Sequence, residues 1–132
     1  MVFMLTNYMR NYPLTTLTLV AVLVLSLAPI GQVEVAKDVP FADKWTHLVM
    51  YGGLCLVGWL EFWRHHRRLD SRQLCLAILA PVMLGGVLEL LQAFVTTYRS
   101  GEWMDFLADS VGVLLGTLLG QVFRLWKKEG VR

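Results

Sequence analysis

The chain has 132 residues, 56% of them apolar, a mean hydropathy of +0.55 and a formal net charge of +2. That length holds one domain, and the composition is too apolar for an ordinary soluble one. The near-neutral charge, without a basic stripe, excludes a nucleic-acid partner, and Cys55 and Cys75, with no CxxC or Cys/His spacing, exclude a zinc scaffold and read as free buried thiols.

Met1 to Tyr12 is a short amphipathic lead carrying Arg10. Pro13 opens the first apolar run, Leu14 to Ala28, which Pro29 and Gly31 close. It lies near the short limit for a membrane span, roughly 17 residues. Ser26-Leu27-Ala28 resembles a small-x-small cleavage site, but Pro29 directly after it favours a retained span over a signal peptide. After a polar loop to Pro40, a second run goes from Lys44 to Trp63 and carries Gly52, Gly53 and Gly58 for close helix packing. Near its far end, Glu61 is expected to snorkel or to pair with Arg64. A basic turn at 64–72 follows, with His65 and His66 in a solvated, headgroup-facing position. The third run, Leu74 to Val95, contains Pro81, Gly85, Gly86, Glu89 and Gln92, and a polar loop through Arg99 leads to the fourth, Asp105 to Trp126. The basic tail begins at Lys127.

These runs predict one all-α membrane domain over 1–132, an antiparallel bundle of four transmembrane helices at about 13–30, 44–63, 74–95 and 105–126. Nine of the twelve cations fall at the termini and in the 64–72 turn, and three (Lys37, Lys44 and Arg99) fall in the other loops. The positive-inside rule then puts both termini in the cytoplasm. Tyr12, Trp63 and Trp126 mark the inner interface, and Trp45, Tyr98 and Trp103 the outer one.

In that topology the polar residues gather at the outer end. Asp43, His47 and Tyr51 follow at i, i+4 and i+8 along one helical face, with Lys44 beside them. Glu89 and Gln92 stand near the outer end of the third helix. Asp105 and Asp109, at i and i+4, lie in the first turns of the fourth, above a Gly112-x-x-x-Gly116-x-x-x-Gly120 stripe on the same face. That stripe is expected to pack within the molecule rather than to form a dimer. Charged groups on such a face point into the bundle. They either form ion pairs holding the helices in register, Lys44 or Arg99 with Glu89, Asp105 or Asp109, or line a ligand cleft. One histidine without HxxxH spacing argues against a metal site, so no metal and no cofactor are expected.

Asp43-Lys44-x-x-His47 with Tyr51, Glu89-x-x-Gln92, and Arg99 followed by Asp105-x-x-x-Asp109-x-x-Gly112-x-x-x-Gly116 together resemble the VanZ-like family of small bacterial membrane proteins. The resemblance covers about residues 14 to 122. It departs at Asp109, where the family pattern has asparagine, which adds an ionisable carboxyl one turn into the membrane. What the resemblance implies is a multi-pass protein of the bacterial cytoplasmic (inner) membrane, a cell-envelope factor of a family linked to glycopeptide (teicoplanin) resistance.

Three functions are in competition. In the first, the outer cleft binds an envelope lipid, a lipid-linked precursor or an amphiphile, with Lys44, Tyr51, Gln92, Arg99, Asp105 and Asp109 around it. In the second, an enzyme acts on a phosphorylated lipid headgroup. There His47 is the general acid/base, Glu89 or Asp43 orients it, and Lys44 and Arg99 hold the anion. The third is a small proton-coupled transporter relaying through Glu89 and Asp109. No nucleophile motif favours the enzyme, and four helices are few for a transporter.

Overall fold

A computed structural model describes residues 1–28, 38–66, 68–97 and 101–130. Among the described residues the chain is all-helical: α1 (Val2–Asn11), α2 (Pro13–Leu27), α3 (Ala42–His65), α4 (Ser71–Val95) and α5 (Trp103–Gly130). α2 to α5 match the four apolar runs, with α3 and α5 running past the expected ends. Positions 29 and 30, the expected end of the first run, lie outside the described residues.

The amphipathic lead is a helix in its own right. Pro13 is the first residue of α2, where its missing N–H leaves no intrahelical bond unmade. Tyr12 leaves helical geometry at φ −128°, ψ 58°, and the axes of α1 and α2 meet at 106°. α1 buries none of its residues. The elbow is pinned from α3: His65 Nε2 lies 3.0 Å from the Asn11 carbonyl oxygen and its ring tilts against Tyr12. His65 is exposed, as expected, and in addition braces this corner.

Glu61 is buried rather than snorkelling, although Arg64 still acts on it electrostatically. A helix begins with N–H groups that have no intrahelical acceptor, and Tyr12 offers α2 no side-chain cap. The buried Glu61 carboxylate of α3 fills that role. It accepts the Leu14 and Thr15 backbone N–H groups at 2.9 Å each and the Thr15 hydroxyl at 2.6 Å. A carboxylate at the positive end of a helix dipole gains more there than beside an exposed arginine.

α3 packs chiefly on α5, and the two run parallel because the glycine stripe of α5 meets α3 in increasing order. A Cβ at Gly112 would stand 2.5 Å from the Leu48 carbonyl oxygen, one at Gly116 would collide with the Gly52 carbonyl, and one at Gly120 would reach 2.5 Å from Trp59 Cβ. The stripe thus packs inside the molecule, backbone against backbone. The Trp59 indole N–H donates to the Thr117 hydroxyl at 3.2 Å and ties the far end. α2 runs opposite to α3, with Thr15 beside Gly58. α4 runs opposite to α5, with Gly85 facing Asp109 and Gly86 facing Phe106. Val22, Tyr51, Leu54, Cys55 and Val113 form the apolar core.

α4 and α5 are each long and apolar enough to cross a membrane, and the bent pair α1–α2 makes a third candidate if counted as one span. α3, at 24 residues, is long enough, but charges at both ends and polar residues facing α5 lower its hydropathy. The outward faces of α4 and α5 carry Leu79, Met83, Leu90, Leu114 and Leu118, all more than half exposed. This is the reverse of a soluble surface and suits hydrocarbon. Cys75 belongs to that outer surface; only Cys55 is the buried thiol expected of both.

The seam predicts a graded response. Gly116→Leu forces the α3 and α5 backbones apart and should lower the thermal midpoint in detergent sharply, by an overpacking penalty of about 1–3 kcal/mol or more. Gly53→Ala, where a Cβ meets nothing within 4 Å, should leave the midpoint unchanged. Equal effects from both would dissolve the seam argument.

Candidate functional site

Because α3 and α5 run parallel and α4 runs against them, the beginnings of α3 and α5 share one end of the molecule with the last turns of α4. His47 is buried there at the centre. Its Nδ1 lies 2.8 Å from Asp109 Oδ1 and 3.9 Å from Glu89 Oε1, and its Nε2 lies 3.7 Å from Asp105 Oδ2. Asp109 is 1% exposed, Asp105 7% and Glu89 8%, so three carboxylates meet one imidazole out of water. Gly85 makes this possible, since a Cβ on it would stand 2.9 Å from Asp109 Oδ2.

Lys44 forms the rim. Its ammonium is 2.7 Å from Glu102 Oε2, 3.2 Å from Asp105 Oδ1 and 3.6 Å from Asp43 Oδ2. The side chains of Lys44 and Glu102 are 21% and 48% exposed, so this bridge separates the buried carboxylates from the surface. Asp43, 40% exposed at its side chain, faces Lys44. Either it or Glu89 was expected to orient His47, but Asp109 holds the imidazole instead. The first turn of α3 leaves Asp43 at the surface, whereas Asp109 enters through the glycine seam.

The chain entering α5 rests on α4 here. Gly101 rests on the Glu89 backbone carbonyl, where any side chain would collide, and the Glu102 N–H donates to Glu89 Oε2 at 2.9 Å. Gln92 is buried and donates through Nε2 to the Ser26 carbonyl of α2 at 2.8 Å. Its amide therefore braces the last turn of α2 against the last turns of α4 at this same end of the molecule. Tyr51 is 1% exposed, and its hydroxyl has no hydrogen-bond partner among the described residues; Asp109 and Glu89 are close enough to act on it electrostatically. Arg99 lies outside the described residues.

Of the sites expected from sequence, His47, Glu89, Asp105 and Asp109 come together, Lys44 and Asp43 border them, Tyr51 lies one turn deeper along α3, and Gln92 is turned to α2 at the same end. Glu102 and Ser26 were missed. An acid just before α5, at i−3 from Asp105, was a readable signal for Glu102; a backbone carbonyl such as that of Ser26 leaves none.

The charge balance sets the chemistry. Asp43, Glu89, Glu102, Asp105 and Asp109 face one ammonium and one imidazole. With the carboxylates ionised, such a place attracts cations and proton donors and repels phosphate. His47, Glu89 and Asp105 each offer one ligand atom, all within 4.8 Å of one another, and a second such set, Asp43, Glu102 and Asp105, lies at the rim. Lys44 competes with a metal ion for Asp105 in both sets. The His47–Asp109 pair orients an imidazole for proton transfer at Nε2.

Asp109→Asn keeps an acceptor for His47 Nδ1 and should shift the thermal midpoint by no more than about 1.5 kcal/mol equivalent. Asp109→Leu strands the imidazole and crowds Gly85, and should cost about 3–5 kcal/mol. Paired melting curves in detergent check the order; equal losses would mean that the charge itself holds the helices together. No protein-family model, curated protein or solved structure matches this chain.

Proposed function

We propose that this chain is a multi-pass protein of the bacterial cytoplasmic membrane, an antiparallel bundle of four membrane helices with both termini in the cytoplasm. In this reading it is a cell-envelope factor that binds the polar headgroup of an envelope lipid, lipid-linked precursor or amphiphile around His47, at the outer leaflet. The alternating helix directions, the apolar outer faces and the cation asymmetry between loops support the topology. The VanZ-like resemblance supports the envelope setting.

The observation that carries the reading is the set of three buried carboxylates around one buried histidine, beneath a lysine bridge at the rim. Helix register alone needs less desolvated charge than this, because buried pairs contribute little net stability. The excess of acid selects an amine-bearing or otherwise hydrogen-bond-donating headgroup. The phosphate-binding part of the sequence reading weakens, since Lys44 is already held by Glu102 and Asp105. The 2.8 Å His47–Asp109 contact favours one alternative, a membrane-embedded enzyme using that pair as its acid-base couple.

Native mass spectrometry of the protein purified from its membrane should show an amine-bearing lipid or amphiphile retained by the wild type. Glu89→Gln, which keeps an acceptor for the Glu102 N–H, should lose it with the thermal midpoint nearly unchanged. A retained lipid whose mass changes on incubation would establish the enzyme reading instead. Unfolding of both Glu89→Gln and His47→Ala would reduce the cluster to structural ion pairs.

Orientation is checked separately. Reporter fusions after Arg72 and Arg132 should read cytoplasmic, and one in the 31–40 loop external. A cytoplasmic signal from that loop would place the His47 cluster at the inner leaflet.

A further inference from the structure

At the opposite end from His47, α5 continues to Gly130 while α3 stops at His65. Between them lies a groove of about 740 Å³, within the usual range for small-molecule pockets, roughly 300–1,000 Å³. Its floor is apolar, made by Leu60, Trp63 and Phe123, and its walls carry Arg64, Arg124, Lys127 and Lys128. No carboxylate occurs among the described residues that line it. The Arg124 guanidinium lies 3.9 Å from the centroid of the Trp63 ring, which holds its donor fork in a fixed plane.

The C-terminal carbonyls of α3 open at the same place and carry roughly half a negative charge. Four cations exceed this together with the buried Glu61 carboxylate that acts on Arg64, so the groove as a whole attracts anions. The cations come from two helices, and the apolar floor continues along α5 one turn from Phe123 to Leu119, which is more than half exposed. A soluble anion has no use for such a floor. An amphiphile places its headgroup among the cations and its chains along α5.

We propose that this groove is a binding site for an anionic phospholipid: the phosphodiester is held by Arg64, Arg124, Lys127 and Lys128, and the acyl chains lie over Trp63 and Phe123. The site depends on the membrane reading of the chain but not on any ligand at His47. Basic pockets at the cytoplasmic end of membrane helices take anionic headgroups on the same principle. Arg124, fixed over Trp63, supplies directional hydrogen bonds, and the two lysines supply mobile charge.

The test uses the full chain in detergent, with phosphatidylglycerol, cardiolipin or phosphatidylcholine added and bound lipid counted by native mass spectrometry. The wild type should retain the two anionic lipids in preference to phosphatidylcholine. The triple variant Arg64→Gln, Lys127→Gln, Lys128→Gln changes only exposed side chains and should lose at least tenfold in anionic-lipid affinity, each cation being worth on the order of fivefold. A matched control, Arg10→Gln, Arg68→Gln, Arg72→Gln, removes three exposed cations outside the groove and should retain the lipid. Equal loss in the control would reduce the effect to general surface charge, and equal retention of phosphatidylcholine would remove the headgroup from the recognition. Displacement of the lipid by millimolar inorganic phosphate would assign the site to a free anion. Any one of these three outcomes overturns the proposal.

Discussion

The contact between the backbones of α3 and α5 is the constraint on which the molecule depends. Lipid offers no hydrophobic drive between helices, so they associate through packing and through polar bonds made at close range. Glycine at 112, 116 and 120 lets α5 rest on the Leu48 and Gly52 carbonyls and on the Trp59 side chain. That approach leaves no room for an axial slip, because each glycine has its own seat. It also brings Asp109, one turn above Gly112, within 2.8 Å of His47. The polar cluster therefore follows from a steric fact about residues that carry no chemistry.

Burial then governs how each charge is used. A desolvated carboxylate is expensive unless hydrogen-bonded, and the chain answers this with groups that would otherwise be orphaned. Glu61 receives the first N–H groups of α2, Glu89 receives the Glu102 N–H and Asp109 meets His47, while Asp105 is held by its ion pair with Lys44. The Tyr51 hydroxyl, one turn below His47, is among the buried polar atoms with no hydrogen-bond partner among the described residues. An acceptor brought by a ligand would complete it.

The two ends of the molecule are electrically opposite. Acids dominate around His47, and cations dominate beyond Trp63; His47 and Arg64 are separated by about 25 Å along α3 at 1.5 Å per residue. In the proposed orientation, carboxylates face the outer leaflet and cations the cytoplasmic one, so the same helix pair offers differently charged sites to the two leaflets. α1, bent away at 106° with none of its residues buried, adds an apolar surface at the basic end.

By itself the sequence determined the helical runs, the apolar character of α4 and α5, the glycine stripe, and the placing of Asp43, Lys44, His47, Glu89, Asp105 and Asp109 at one end once the runs alternate in direction. These follow from composition and from spacing along a single helix, where 3.6 residues per turn tell which face a residue occupies. Only the tertiary structure decided who meets whom across helices. It paired His47 with Asp109, 62 residues away, tied Gln92 to the Ser26 carbonyl, 66 residues away, turned Glu61 into a cap for α2, and set His65 as a brace for the elbow. It also tied Lys44 to Glu102 and left Cys75 on the outer face. Periodicity fixes a residue's angle about its own axis but not the rotation or axial offset of the neighbouring helix. A hydrogen bond depends on both to within a fraction of an ångström, and close packing of side chains and glycines sets them.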